Sequence, residues 1–384
     1  MTDRERVLAV LNYESYDRLP VVHFGFLSDI FDRWVEEGHL TQDDVRGYSD
    51  GNPVDEALCR KLGFDFCFHT LLSPAVGLRP PFQSQLVREF PDGSSHRLNG
   101  DGIVLLHVPG AKSIQPDVDH LLRDRKSWEE LYKPKLQFSP ERVDRAKVRV
   151  DGQMVPFDPL GRSHLLGDER EHLLGLRCGT LYGSIRTWLT LEGACYLMYD
   201  DEALFDEIIE VNADLTYQCT KAALESGVRF DFAHFWEDIC FKNGPLINPK
   251  MFAEKVGPHY KRITELVNGY GINIVSLDCD GLIDELVPIW FENGVNTMFP
   301  IEVGTWNADL TPWREAHGRE LRGVGGMDKR VFAKDFSAVD AEVERLKPMI
   351  EMGGFLPCPD HRIPEDGVWE NVRYYCDRMH EVFG

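Results

Sequence analysis

INIVSLDCDG, residues 272–281, is an apolar run that ends on two aspartates and a glycine. In an extended strand Asp278 and Asp280 point the same way, because successive side chains alternate faces. Four further runs in the same half of the chain end on polar or acidic clusters: DFAHFWED (231–238), NTMFPIE (296–302), RGVGGMD (322–328) and GGFLPCPDH (353–361). The stretches between them read as helices, so strand and helix alternate. That alternation predicts an α/β fold, a TIM-type (β/α)8 barrel with its chemistry at the C-terminal ends of the strands. Collected at one rim, those ends bring together His234, Glu237, Asp238, Asp278, Asp280, Glu302, Asp328, Asp360 and His361.

The N-terminal half is less regular. A helix is expected over residues 2–13 as an N-terminal extension, with Thr2 or Asp3 as its cap. LPVVHFGF (19–26) and LGFDFCFHT (62–70) read as strands, and residues 28–46 as helix. A β-hairpin is expected over about 84–110, turning at Asp92-Gly93 and covering one mouth of the barrel. A helix from about Glu202 to Ser226 leads into DFAHFWED. No low-complexity linker interrupts the chain, so residues 1–384 are read as one barrel domain.

With 43% hydrophobic residues the chain can bury a large core, while a net charge of −22 argues against nucleic acid or an anionic membrane surface as a partner. No apolar run approaches the roughly 20 residues of a membrane span. The nine cysteines are odd in number and form no CxxC pair, which suits reduced thiols in the cytoplasm. No dinucleotide-binding GxGxxG, Walker A, HExxH or GxSxG motif is present.

Asp278 and Asp280 repel each other unless a cation, a proton or a donor lies between them. Their other reading is an Asx turn ended by Gly281. Pro357-Cys358-Pro359-Asp360-His361-Arg362 is a stiff loop, because each proline fixes φ. It presents His361 and Arg362 at a defined place, and Asp360 also reads as a cap for a helix after Pro364. Glu237 and Asp238 are adjacent, so one is expected at the mouth and the other in the loop. His23, His69 and His107 read as hydrogen-bonded wall residues rather than ligands.

These features together resemble the uroporphyrinogen decarboxylase-like superfamily. The matching stretches are RERVLAVLNYESYDRLPV (4–21), GSIRTWLTLEGACYLMYDDEALFDEII (183–209), WEDICFKNGPLINPKMF (236–252), GINIVSLDCDG (271–281), LVPIWFENGVNTMFPIE (286–302), GGMDKR (325–330) and GGFLPCPDHRIPED (353–366). The resemblance implies a TIM barrel with its site in the mouth. True uroporphyrinogen decarboxylases carry an arginine-rich segment near the N-terminus. This chain reads RLPVVHFGFLSDIFDRW (18–34) there, which argues against a substrate with eight carboxylates. Thiol-methylating members bind zinc through a His-x-Cys motif and a later cysteine. Asp278-Cys279-Asp280 and Asp360-His361 stand at those places here.

The variant resembles cobalamin-linked methyltransferases that demethylate a small O-methylated, methoxyaromatic-type compound. The methyl group then passes to the cobalamin of a partner corrinoid protein. On this reading Glu237, Asp278, Asp280 and His361 are catalytic, and Glu237, Asp280 and His361 form the zinc set. His234, Trp236, Glu302, Met327 and Arg362 contact substrate, and Phe24, Phe26, Phe68 and Phe299 line the pocket beside Trp236. A homodimer is compatible with the resemblance. The alternative is a cofactor-independent decarboxylase of a small carboxylic acid, anchored by Lys242, Arg186 or Arg362. A third reading is a binding protein that kept the barrel.

Overall fold

The computed structural model describes residues 1–111, 115–150, 152–167 and 170–384. Eight parallel strand positions run in chain order around a barrel. They are β1 (Val22–His23), β2 (in two pieces, Phe66–Cys67 and Leu71–Leu72), β3 (Gly175–Arg177), β4 (Phe232–Trp236), β5 (Val275–Asp278), β6 (Thr297–Ile301), β7 (Arg322–Met327) and β8 (Phe355–Pro359). The five C-terminal runs are therefore β4 to β8, as their alternation predicts. The ring closes where Phe26 bridges Ile363, with the Leu27 N–H donating to the Ile363 carbonyl at 3.0 Å.

Strand β2 is broken for a tertiary reason. Its first piece pairs with β1, Val22 against Phe66 and His23 against Cys67. Its second piece pairs with β3, Leu71 against Gly175 and Leu72 against Leu176. The chain shifts between the two partners at Phe68–Thr70, where the Thr70 N–H donates to the Phe68 carbonyl at 2.9 Å. His69 stands in that shift.

Alternation places one face of each strand inside the barrel. Val22, Phe24, Phe68, Phe232, Ile274, Phe299, Val324 and Leu356 form the interior cluster, joined by Val7 and Leu11 of the N-terminal helix Asp3–Leu11. Phe24 meets Phe299 edge-on at 4.7 Å and Phe68 stacks on Phe232 at 5.1 Å. Each such ring contributes about 2–3 kcal/mol by leaving water. The N-terminal helix starts at a capping box in which Thr2 and Glu5 satisfy each other's backbone N–H.

The region read as a hairpin is larger. It forms a four-stranded antiparallel sheet of Gln85–Glu89, Ser95–Leu98, Ile103–His107 and Asp117–His120. The expected turn is present, with Gly93 at φ +82° and the Ser94 N–H on the Asp92 carboxylate. Its last strand packs against helix Gly183–Asp200, which follows β3. Asp360 does not cap the last helix, Trp369–Phe383, which has no side-chain cap. Its buried carboxylate instead accepts the Gly304 N–H at 2.5 Å and the Lys329 N–H at 3.2 Å.

One glycine is demanded by backbone contact. The β6–β7 register shifts between Met298 and Ile301, where Pro300 has no N–H to offer. Gly325 sits opposite at φ +115°, and a Cβ there would lie 2.6 Å from the Ile301 nitrogen. Gly325→Ala is expected to cost roughly 3 kcal/mol, the sum of a left-handed φ and a clash with main chain. Urea unfolding measures this, and an unchanged midpoint would contradict the close approach.

Candidate active site at the C-terminal mouth

Strand register brings the chemistry together. Arg177 pairs with His234, His234 with Ser276, and Trp236 with Asp278 across β3, β4 and β5. Because the period is two, His234 and Trp236 share one face of β4 and Phe235 takes the other, packing on Tyr260 at 4.9 Å. His69 enters from the break in β2, and His361 and Arg362 from the loop after β8. These side chains line a cavity of about 380 Å³ with Phe24, Asp50, Asp278 and Asp280. A second cavity of about 650 Å³ adjoins it through Asp50, His69 and Leu71, but contains none of the acids from β4 to β8.

The floor and the rim differ in polarity. His69 and His234 rest on the Phe299 ring, at 5.3 and 5.9 Å, and Phe299 is fully buried. His69 Nε2 lies 3.7 Å from Asp278 Oδ2 and has no hydrogen-bond partner among the described residues. Burial pushes the Asp278 carboxyl well above the usual carboxylate range; Asp280 adds to the push and Arg177 opposes it. Burial, with His69 and Arg177, holds the His234 imidazolium well below its ordinary pKa, so the ring is neutral. Burial lowers His69 too, against the pull of Asp50. Nearer solvent, His361 Nε2 lies 3.4 Å from Asp280 Oδ2, with side chains 28% and 39% exposed.

Cations frame the cavity. Arg362 makes a two-point ion pair with Asp50, which also accepts the Tyr48 hydroxyl. Arg177 sits 5.9 Å over the Trp236 ring. Its guanidinium donates no hydrogen bond to any described residue, and Asp278 is the acid that acts on it.

Six residues expected at the mouth line this cavity: His234, Trp236, Asp278, Asp280, His361 and Arg362. Glu237 does not. Its buried carboxylate turns to the other face of β4 and accepts the N–H groups of Leu181 (2.7 Å), Tyr182 (3.1 Å) and Gly183 (2.6 Å), the Thr180 hydroxyl (3.0 Å) and the Tyr260 hydroxyl. With its acceptors so occupied it has no free oxygen for a metal or a substrate. Glu302 accepts the Gly281 N–H at 2.8 Å and the Thr305 hydroxyl, so it supports the Asp278–Gly281 loop from behind. Met327 is fully buried in the outer hydrophobic cluster and has no face on the cavity. Phe26, Phe68 and Phe299 are buried packing rings outside the lining, leaving Phe24 and Trp236 as the aromatic walls. Asp328 pairs with Arg330 at 2.8 Å.

His69 is the reverse case, since a residue read as wall stands in the cavity. His23 and His107 are hydrogen-bonded as read, to the Gly25 N–H at 2.9 Å and to Gln115 at 2.8 Å. Arg177 was not singled out in sequence. The signal was there, because GLR (175–177) is a short strand ending on a charge, like the five acid-tipped runs. Of the other anchors, Arg186 lies 3.6 Å from Asp238 and Lys242 is exposed outside the cavity lining.

Among the described residues, two groups of side chains offer ligand atoms within 4.8 Å of one another: His69 with His234 and Asp278, and His23 with Asp55 and Cys67. Chemically, the mouth combines imidazoles and carboxyl groups suited to a cation or to proton transfer with a guanidinium, Arg177, suited to an anion.

The eight-stranded barrel with a polar C-terminal mouth and an aromatic floor defines a TIM-barrel protein of the enzyme type. Residues 185–382, more than half of the chain, match the profile of the uroporphyrinogen decarboxylase (URO-D) family, and the chain belongs to that family. No curated protein matches the chain in sequence. Among solved structures, a methyltransferase from Methanosarcina mazei superposes over 99% of both chains with a TM-score of 0.60 and 13% identity. A putative vitamin-B12 independent methionine synthase from Listeria monocytogenes aligns over 59% of this chain and 70% of its own, with a TM-score of 0.36 and 13% identity. A B12-independent methionine synthase from Shewanella aligns over 60% and 69%, with a TM-score of 0.38 and 9% identity.

Proposed function

We propose that the chain is a methyltransferase that removes a methyl group from a small O-methylated compound and passes it to the corrinoid of a partner protein. What supports the reading is the combination at one mouth of His361 with Asp280, the Asp278 cluster beneath them, and a cavity of about 380 Å³ walled by Phe24 and Trp236. That volume suits one substituted ring. The full-length likeness in fold to a methyltransferase agrees with it.

A methyl ether leaves reluctantly until its oxygen is protonated or bound to a Lewis acid. The O–CH₃ bond breaks with its electron pair on oxygen, the methyl group goes to the reduced corrinoid, and the oxygen takes up a proton. No nucleophile from the chain is required. His361, oriented by Asp280, delivers the proton; Trp236 and Phe24 hold the ring; Arg177 and Arg362 fix its polar substituents. A divalent ion such as zinc, when bound, supplies Lewis acidity at the leaving oxygen. Glu237 takes no part beyond tying the loop after β3 to β4.

The test is to incubate purified protein with a reduced corrinoid protein and a panel of methoxyarenes. Methylcobalamin and a phenol are expected in equal amounts, and their absence across the panel counts against the reading. Arg177 favours one alternative, a decarboxylase of a small acid, since it places a cation in the cavity without an ion-paired partner within 4 Å among the described residues. Carbon dioxide release without corrinoid would select it.

A further inference from the structure

We infer that His69, His234 and Asp278 form a divalent-cation site at the floor of the mouth, built by β2, β4 and β5. This set differs from Glu237, Asp280 and His361, and its catalytic meaning rests on the methyl-transfer reading. The binding itself is a separate property of these side chains.

Three observations carry it. The first is spacing. The ligand atoms of the three residues lie within 4.8 Å of one another, and His69 Nε2 is 3.7 Å from Asp278 Oδ2. Metal bonds of about 2.1 Å at tetrahedral angles separate ligand atoms by roughly 3.4 Å, so a small closure suffices. The second is that His69 Nε2 is buried without any hydrogen-bond partner among the described residues. A buried ring nitrogen left so is costly unless something occupies it.

The third is the tautomer of His234. His234 Nδ1 lies 2.8 Å from Ser276 Oγ, and the Ser276 hydroxyl lies 3.2 Å from the Ala233 carbonyl. With that hydroxyl donating to the carbonyl, Oγ accepts from His234 Nδ1–H, and Nε2 keeps its lone pair for an ion. A hydrogen bond at the far nitrogen is how metal-binding histidines are oriented.

The same argument rejects the other cluster. At His23 the Gly25 N–H donates to Nδ1, so the ring proton sits on Nε2 and faces Cys59 Sγ at 3.1 Å. That nitrogen is a donor and no ligand. Two imidazoles and one carboxylate, open on the cavity side, match the donor set of catalytic zinc, with other first-row divalent ions as competitors.

The experiment is metal analysis of the purified full chain, followed by chelator stripping and titration with zinc and with cobalt(II), whose visible absorption reports its ligands. One ion per chain is expected, raising the melting temperature. His69→Ala, His234→Ala and Asp278→Asn should each weaken it by at least about 100-fold, and Ser276→Ala by about 10–100-fold. His361→Ala and Cys67→Ser should bind as the parent does. Circular dichroism establishes that each variant is folded, and Ser276→Ala, the mildest change, keeps the test decisive where a histidine variant is not. No ion on the parent chain overturns the site, as does loss in His361→Ala with retention in the three ligand variants. A bound ion without methyl transfer leaves the site standing and sinks the methyltransferase reading.

Discussion

Glu237→Ala should lower the stability of the fold by at least about 4 kcal/mol, the largest effect expected of any single residue here. The carboxylate is fully buried and accepts from three successive N–H groups, Leu181 to Gly183, at the start of helix Gly183–Asp200. It also accepts the Thr180 and Tyr260 hydroxyls. Burial pushes the carboxyl up, and the Tyr260 hydroxyl and the backbone donors oppose that push. Alanine leaves five buried donors facing a void. Each lost acceptor costs about 1–3 kcal/mol, less than additively, against a total stability of roughly 5–15 kcal/mol. Glu237→Gln, which keeps one acceptor oxygen, should cost about 2–3 kcal/mol, and Tyr260→Phe about 1–2 kcal/mol. Urea unfolding by circular dichroism ranks the three. A Glu237→Ala protein with the parent midpoint but no activity would return Glu237 to the chemistry.

Asp278→Asn should abolish most turnover while sparing the fold. The side chain keeps its volume, and the backbone pairings of β5 with β4 and β6 are untouched. What disappears is one oxygen of a buried carboxyl group that stands beside two imidazoles and acts on Arg177. On the proposed methyl-transfer reading a fall of about 10²–10⁴-fold in rate is expected, the range for losing a group that acts on the reacting atoms. The denaturation midpoint of metal-free protein should stay or rise, because burial and Asp280 both disfavour the Asp278 charge. Asp280→Asn should cost about tenfold to a hundredfold, since on the proposed methyl-transfer reading Asp280 acts through His361, 3.4 Å away. Single-turnover rates of both variants decide the order. Equal losses at the two positions would place the reacting oxygen at the rim instead of the floor.

Much of the barrel was legible in sequence because a strand-plus-helix unit is a local pattern. Apolar runs of four to six residues ending on charges mark β4 to β8, and the helix expected from about Glu202 to Ser226 is present as Glu202–Glu225. The period of two also separates the acids of DFAHFWED. If His234 and Trp236 share the mouth, Glu237 must face the other way, and it does. The break in β2 had no such signal. LGFDFCFHT reads as one strand, and only its two partners, β1 and β3, divide it and turn His69 inward.

The sequence by itself therefore determined the architecture and the end of the barrel that carries the chemistry. Both follow from alternation, which each segment expresses alone. The tertiary structure decided which side chains meet. It took Glu237, Glu302 and Met327 out of the mouth, and brought in His69 and Arg177. It also set Ser276 against His234 Nδ1, from 42 residues away in the chain. Desolvation, hydrogen-bond donors and charge neighbours act through space, so the state of a titrating group at the mouth is written only where strands lie side by side.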